Sequence, residues 1–186
     1  MKNDTLVLDT RVNGYAGQPT RLVATYNVAT GNLYISAEKP FNPIPKKRSV
    51  LELLKLQRIQ ARTLIITDSA DSLAKWDLLY RESDHLTEVV RCYHEKKRNN
   101  LITIDPKVQG RYNPDSVLQA RKLDVKAGAL WELSTETENG HICILLACWG
   151  AMRATNNFSF TAQLEQDLSQ VHNEPDSFDL DEPFTL

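Results

Sequence analysis

The segment 21–39, RLVATYNVATGNLYISAEK, alternates apolar and polar residues on both sides of a Thr-Gly turn. Such alternation is typical of two paired strands that each present one face to a core. A two-residue turn predicts that Val28 pairs with Leu33 and that Tyr34 lies on the polar face. Residues 5–12, TLVLDTRV, are expected to add a third strand. The N-terminal part of the chain is therefore predicted to form a β-sheet.

A proline-rich connector, residues 40–48, separates this β region from a segment with helical character. Ser49 is followed three residues later by Glu52, a spacing that fits a capping box and predicts a helix over 49–62. Beyond it, apolar spacing and turn residues predict six more elements. In chain order these are a strand over 63–67, a helical region over 69–98 in two pieces, a strand over 99–106, a short helix over 113–123, a buried hairpin formed by 128–135 and 141–150, and a helix over 160–171.

Strands and helices follow one another without the regular alternation of a doubly wound sheet. This order favours an α+β fold with a mixed or antiparallel sheet and packed helices. The length of 186 residues suits a single domain with a core of its own. We therefore predict one α+β domain over 1–171 and a disordered acidic tail over 172–186.

Composition narrows the class of protein further. Hydrophobic residues make up 41% and charged residues 25% of the chain, values typical of a globular protein in water. The longest apolar run, 142–152, is too short to cross a bilayer, and the N-terminus lacks the layout of a signal peptide. Three cysteines, an odd number without a CxxC spacing, favour a reduced environment. A cytoplasmic location is therefore predicted.

The sequence contains no GxxxxGK[ST] or GxGxxG glycine loop and no HExxH zinc motif. His141, Cys143 and Cys148 are metal-ligating residue types, but on a strand the last would point away from the other two. We therefore expect core side chains there, no metal or other cofactor, and no catalytic activity. A catalytic alternative is a small metal-dependent nuclease, because Glu95 and Lys97 have its acid-x-lysine spacing. The same segment is also typical of the charged end of a helix.

Basic residues form the most coherent functional pattern in the chain. On the predicted first helix, Lys55, Arg58 and Arg62 have i, i+3, i+7 spacing and share one face. Cations interleaved with tyrosines are typical of a groove that follows a nucleic-acid backbone and stacks unpaired bases. The candidate nucleic-acid-binding residues are Lys46, Lys47, Arg48, Lys55, Arg58, Arg62, Lys96, Lys97, Arg98, Arg111 and Tyr34.

Charge is distributed unevenly along the chain. Residues 1–153 contain 22 basic and 17 acidic residues, a net charge of +5, whereas 154–186 contain seven acidic residues and no basic one. A basic body joined to an acidic end is typical of an interaction tail, often in proteins whose body binds a polyanion. A terminus that only improves solubility is the simpler alternative.

The end of the chain, FDLDEPFTL over 178–186, resembles the acidic C-terminal tip of the single-stranded DNA-binding proteins of bacteria and their phages. The resemblance implies an OB-type β-barrel body, with 5–39 as its first strands, and a tip that docks replication and repair proteins. In that family the phenylalanine is typically the last residue, whereas Thr185 and Leu186 follow it here. The implied partner-binding residues are Asp179, Asp181, Glu182, Pro183 and Phe184.

Together these patterns predict a non-catalytic protein that binds nucleic acid, preferably single-stranded DNA, in replication, repair or a mobile element. Its tail would recruit replication or repair partners. The alternative from another class is a protein–protein interaction or inhibitor module whose acidic end mimics nucleic acid. The small nuclease is the third hypothesis.

Overall fold

The computed structural model describes residues 4–42, 47–69, 77–121 and 130–156. Within these ranges the chain is a mixed α+β fold, which confirms the predicted class at that level. The strands are β1 (Thr5–Val12), β2 (Thr20–Asn27), β3 (Leu33–Lys39), β4 (Thr63–Thr67), β5 (Leu78–Leu79), β6 (Ile102–Ile104), β7 (Leu118–Arg121) and β8 (Leu130–Leu133). The helices are α1 (Arg48–Gln60), α2 (Glu82–Arg98), α3 (Pro106–Gln109) and α4 (Asn139–Asn156), with a 3-10 turn at Pro114–Ser116.

Six of these strands form one mixed sheet in the order β5-β4-β1-β2-β3-β6. Strands β1, β2 and β3 are an antiparallel meander, whereas β4 pairs in parallel with β1, β5 with β4, and β6 with β3. Strands β7 and β8 form a separate antiparallel pair. The sheet is open among the described residues, so the OB-type barrel implied by the family resemblance is not seen there.

Helix α4 covers one face of the sheet, and α2 packs beside it. Helix α4 packs on β1, β2, β3 and β4, and α2 packs on α4. Alternate residues of the meander point to this side, among them Leu8, Leu22 and Ile35, and all three are buried. Burial of such side chains stabilises the fold by roughly 1.5–3 kcal/mol for each large aliphatic residue. The core therefore lies between the meander and α4.

The predicted buried hairpin of 128–135 and 141–150 is wrong in its second half. Residues 141–150 belong to helix α4, and every residue from Ile142 to Ala151 is buried. A helix that is covered on all sides is apolar on all sides and has no polar stripe. Since a continuous apolar run fits a buried strand as well as a buried helix, the pattern alone could not separate the two.

The predicted hairpin of 21–39 is present, but its register differs. Leu33 pairs with Tyr26, and not with Val28. The connection is longer than two residues because the Asn27 backbone closes it: its O accepts a hydrogen bond from Gly31 N at 2.8 Å, and its N donates one to Asn32 O at 2.9 Å. A shift of two residues returns each side chain to the same face. Tyr34 therefore lies on the polar face as predicted, with 41% of its surface exposed.

Three helix predictions need correction. Helix α1 begins at Arg48 without a side-chain cap, so Ser49 lies inside the helix and the capping box is wrong. The helix predicted over 113–123 is only a 3-10 turn followed by β7, since the chain pairs with β8 there. Of the region 69–98, the second helical piece is confirmed as α2, whereas residues 78–79 form β5 and 70–76 lie outside the described residues. None of the described helices is both long and apolar enough to span a bilayer.

A matched pair of leucine substitutions tests this account of the core. Leu146 is fully buried in α4, whereas Leu53 on α1 is 54% exposed. We expect Leu146→Ala to lower the free energy of unfolding by about 2–5 kcal/mol, because it leaves a cavity against the sheet. Leu53→Ala should change it by less than about 0.5 kcal/mol. Urea unfolding followed by circular dichroism measures both, and equal losses would contradict the placement of α4.

Candidate nucleic-acid interface

A cleft of about 630 Å³ lies beside the outer strand β6. Its walls come from the C-terminal end of α2, from β6, and from the segment that contains α3 and the 3-10 turn. Clefts of this size are in the range used for ligand binding, although those sites are mostly apolar and this one has many polar groups. The lining residues are Tyr93, Lys97, Asn100, Ile102, Thr103, Ile104, Gln109, Tyr112, Asn113, Pro114 and Asp115.

Two of the tyrosines that alternate with basic residues along the sequence, Tyr93 and Tyr112, meet at this cleft. Tyr93 and Tyr112 are only 3% and 5% exposed, so their rings belong to the core while they line the cleft. Burial raises the pKa of both hydroxyl groups. The Tyr112 hydroxyl donates to Glu38 at 3.2 Å. These rings support the walls and leave base stacking to an exposed aromatic residue.

The charged side chains that line the cleft are one lysine and one aspartate, Lys97 and Asp115. Segment 93–115, which provides most of its walls, contains five basic and three acidic residues. Lys97 forms an ion pair with Asp115, and both side chains stay about two-fifths exposed. Such an exposed pair contributes little to stability, so Lys97 remains able to exchange Asp115 for a phosphate. Arg98 is also exposed, at the C-terminal end of α2.

Tyr34 lies close to this cleft, on the face of the sheet opposite helix α4. It is paired across the sheet with Thr103, which lines the cleft. Residues paired directly across neighbouring strands share a face, so Tyr34 and the exposed Thr103 side chain are neighbours. An extended strand that leaves the cleft over β6 would meet the Tyr34 ring.

Several predicted basic residues already have partners within the fold. Lys96 donates to Gly31 O at 2.6 Å and lies over the Tyr26 ring, and burial lowers the pKa of its amine. Arg111 forms an ion pair with Glu38 at the end of β3. Phosphate contact by these two cations stays a prediction, because each would first exchange a partner.

The stripe predicted on the first helix is not a uniform exposed row. Arg58 forms an ion pair with the fully buried Asp77. Arg62 follows the helix in a left-handed conformation, and its Nε atom is buried. Lys47 and Arg48 are exposed at the start of α1. The side chain of Lys55 and the whole of Lys46 lie outside the described residues.

Glu95 and Lys97 both lie on helix α2. The acid-x-lysine spacing of the nuclease hypothesis needs an extended strand, because alternate residues share a face there and diverge on a helix. Lys97 is instead paired with Asp115. The geometry therefore gives the nuclease hypothesis no support at this position.

A second polar region lies where β1 and β4 end side by side. The Asp68 carboxylate accepts backbone hydrogen bonds from Asn13 at 3.1 Å and Gly14 at 2.6 Å. A Cβ atom on Gly14 would lie 2.7 Å from the Asp68 carboxylate, so only glycine permits this approach. In open sheets the carboxyl ends of parallel strands are a frequent place for ligands. Here the carboxylate already holds the β1 end in place.

Neighbouring polar groups at this edge also form hydrogen bonds with one another. The Tyr15 hydroxyl donates to Glu82 at 3.0 Å and lies 3.2 Å from the Tyr80 hydroxyl. Burial raises the pKa of Tyr15, and it raises that of Tyr80 to about 12. Asn139 accepts from Tyr15 N at 2.8 Å and donates to Gln18 O at 3.0 Å. The network connects the start of α4 to the loop after β1, which is a structural role.

His141, which is predicted to be a core side chain, is buried in the structure and also caps helix α4. Its Nδ1 atom accepts a hydrogen bond of 3.1 Å from Glu138 N, at the residue that precedes α4. This contact resembles the back-bond of a capping box and requires the neutral imidazole. Burial lowers the pKa of His141. A charged imidazole would also be unfavourable at the positive end of the helix.

The two cysteines predicted beside it are buried in different surroundings. The Cys143 thiol donates to Thr20 O at 3.4 Å, beneath the meander. Cys148 lies five residues later and faces a small cavity of about 160 Å³ that it shares with Cys92. Burial raises the pKa of all three thiols, to about 11 for Cys92 and about 12 for Cys143. No group of three metal-ligating residues occurs among the described residues.

Comparison of the chain with protein-family models, curated proteins and solved structures found no match. The partner-binding residues predicted at 179–184 lie outside the described residues. Sequence reasoning missed the amides of Asn100 and Gln109 and the Lys97–Asp115 pair. The available signal was polar residues at the boundaries between predicted elements, where loops carry binding groups.

The cap at His141 predicts a pH dependence of stability. Since its folded pKa lies below the ordinary value of 6.5, it stabilises the fold above that value, and this contribution is lost as the pH falls. In His141→Gln the amide can still accept from Glu138 N but does not titrate. We expect urea unfolding at about pH 7.5 and about pH 5.5 to show a larger loss for the original chain than for the variant. Identical losses would contradict the neutral cap.

Proposed function

We propose that this protein binds single-stranded nucleic acid, DNA by preference, in the cleft beside β6 and without catalysis. The single observation that supports this most is the meeting of a polar cleft and the partly exposed cation Lys97 at one edge of the sheet, in a segment, 93–115, with five basic and three acidic residues. Phosphate neutralisation by such cations supplies most sequence-independent affinity for nucleic acid. The body would therefore bind along the strand backbone, with modest sequence preference.

Shape favours a single strand over a duplex. The candidate surface is concave and lies at a sheet edge, whereas duplex readers insert a convex helix or ribbon into a groove. A single strand can bend over β6 and bring an unpaired base onto the exposed Tyr34 ring. Stacking of one base on an aromatic ring contributes about 1–3 kcal/mol.

The acidic C-terminal segment completes the proposal. Its residues Asp179, Asp181 and Glu182 precede Pro183 and Phe184, a pattern suited to docking one aromatic anchor in a partner pocket with a basic rim. The expected partners are replication or repair proteins. We also infer a reducing, cytoplasmic setting, which agrees with three free and buried cysteines.

Removal of the positive charge of Lys97 tests whether the folded domain binds nucleic acid at the cleft. Lys97→Gln should weaken binding of a labelled single strand and flatten the log–log salt dependence by about 0.7, because one phosphate contact is lost. Arg91→Gln removes an exposed charge from the same helix outside the cleft, and it should leave the slope unchanged. Fluorescence anisotropy at about 50 mM and about 200 mM salt measures both variants. Equal effects in the two variants would contradict the assigned surface.

Truncation after Val171 tests the role of the tail. The deletion removes five carboxylates, so affinity for single strands should hold or rise as a competing local polyanion is lost. Phe184→Ala in the full chain should leave that affinity unchanged while weakening a pull-down of replication or repair proteins. Recovery of a partner by the full chain, with no oligonucleotide binding even at low salt, would instead favour the inhibitor module.

A further inference from the structure

The outer edge of β6 presents backbone groups to the cleft. On its inner side, Leu101 O accepts from Leu33 N at 2.8 Å and Asp105 N donates to Ile35 O at 2.9 Å. Alternate residues of a parallel strand bond to one neighbour, so Leu101, Thr103 and Asp105 face β3. Ile102 and Ile104 therefore turn their N–H and C=O groups to the outer edge, where both residues line the cleft.

Two side-chain amides flank this edge. Asn100 precedes β6 and Gln109 ends α3, and both residues line the cleft. Neither side chain makes a hydrogen bond to another residue in the part of the chain that the structure describes. Asn113 differs, because its side-chain oxygen already accepts from Asp115 N at 3.2 Å. Asn100 and Gln109 are therefore the amides able to bind a ligand.

Charged side chains and neutral hydrogen-bonding groups lie in different parts of the cleft. Lys97 and Asp115 pair with each other and are partly exposed to solvent. The groups along β6 and its flanking amides are neutral donors and acceptors. Neutral donors and acceptors match the edge of a base, whereas phosphate prefers cations. A nucleotide would therefore enter with its base toward β6 and its phosphate toward Lys97.

We propose that the cleft selects adenine within a single strand, an inference that rests on the nucleic-acid-binding function proposed above. A residue in an extended strand turns its N–H and C=O to the same side, as Ile102 and Ile104 do, and so resembles a side-chain amide. Amide groups pair in bidentate fashion with adenine, through its N7 acceptor and N6 amino donor. Adenine offers an acceptor beside that amino group on its other edge as well.

Thymine and cytosine match this edge in fewer orientations than adenine. On the major-groove edge, guanine presents two acceptors, thymine an acceptor beside a methyl group, and cytosine its amino donor alone. Thymine and cytosine therefore pair fully with a donor–acceptor set only through their base-pairing edges, whereas guanine can also do so through N3 and its amino group. Adenine pairs through either edge, so the cleft should accept it in more geometries.

Binding of three homopolymers to the full chain tests the selection. Labelled single strands of twelve adenines, twelve cytosines and twelve thymines are titrated at one low salt concentration by fluorescence anisotropy. We expect the adenine strand to bind at least roughly fivefold more tightly than the thymine strand, the lower end of the discrimination that one bidentate pair provides.

Substitutions of Asn100 and Gln109 test whether the cleft is responsible for the selection of adenine. Asn100 has a φ of 54°, so Asn100→Gly removes the amide without backbone strain. Gln109→Met keeps the length of the side chain and removes its hydrogen-bonding groups. Both variants should lose affinity for the adenine strand and keep that for the thymine strand. Gln57→Met on α1, exposed and outside the cleft, should change neither.

The outcomes separate this inference from the function on which it depends. Affinities within twofold for all three strands, or a preference for another base, would overturn adenine selection and leave single-strand binding intact. Adenine preference that persists in both amide variants would overturn its assignment to the cleft. Absence of binding to every strand would overturn the proposed function and the selection together.

Discussion

The packing of α4 against the sheet is the interaction on which the remaining structure depends. This helix contacts β1, β2, β3 and β4 on one side and α2 on the other, and its central residues are buried throughout. Gly140 permits this arrangement at one end, because a Cβ atom there would lie 2.2 Å from the Tyr112 ring. Tyr112 in turn lines the cleft, so the same contact that closes the core also fixes one wall of the candidate site.

Helix α2 connects that core to the charged surface. Its buried side, with Leu86, Val89 and Val90, packs in the core, while its last turn brings Lys97 to the cleft. Strand β6 follows after a short turn and pairs with β3. The helix end, the strand edge and the 3-10 turn are thus held by the core, and a rigid frame of this kind reduces the ordering cost when a ligand binds.

Local patterns predicted much of the scaffold. The meander and α2 were predictable because each has one buried face and therefore a clear period of apolar residues. Strand β4 is buried along its whole length and was predictable as a short apolar run. The apolar run that forms α4 predicts a buried strand as readily as a buried helix, since burial on every side removes the helical period of apolar residues. The cleft was harder to predict: the basic pattern includes its lining lysine, Lys97, but the amides of Asn100 and Gln109 acquire meaning only once β6 lies at the sheet edge. The edge position of β6 results from its long-range pairing with β3, which no local sequence pattern predicts.

Hydrogen–deuterium exchange of the full chain, with and without a saturating single strand, tests the central claim most directly. Exchange reports the protection of backbone amides, and the outward N–H groups of Ile102 and Ile104 belong to the proposed surface. We predict slower exchange across 97–115 in the complex, with little change in α1. Protection confined to α1, or unchanged exchange at the cleft while the strand is bound, would contradict the account.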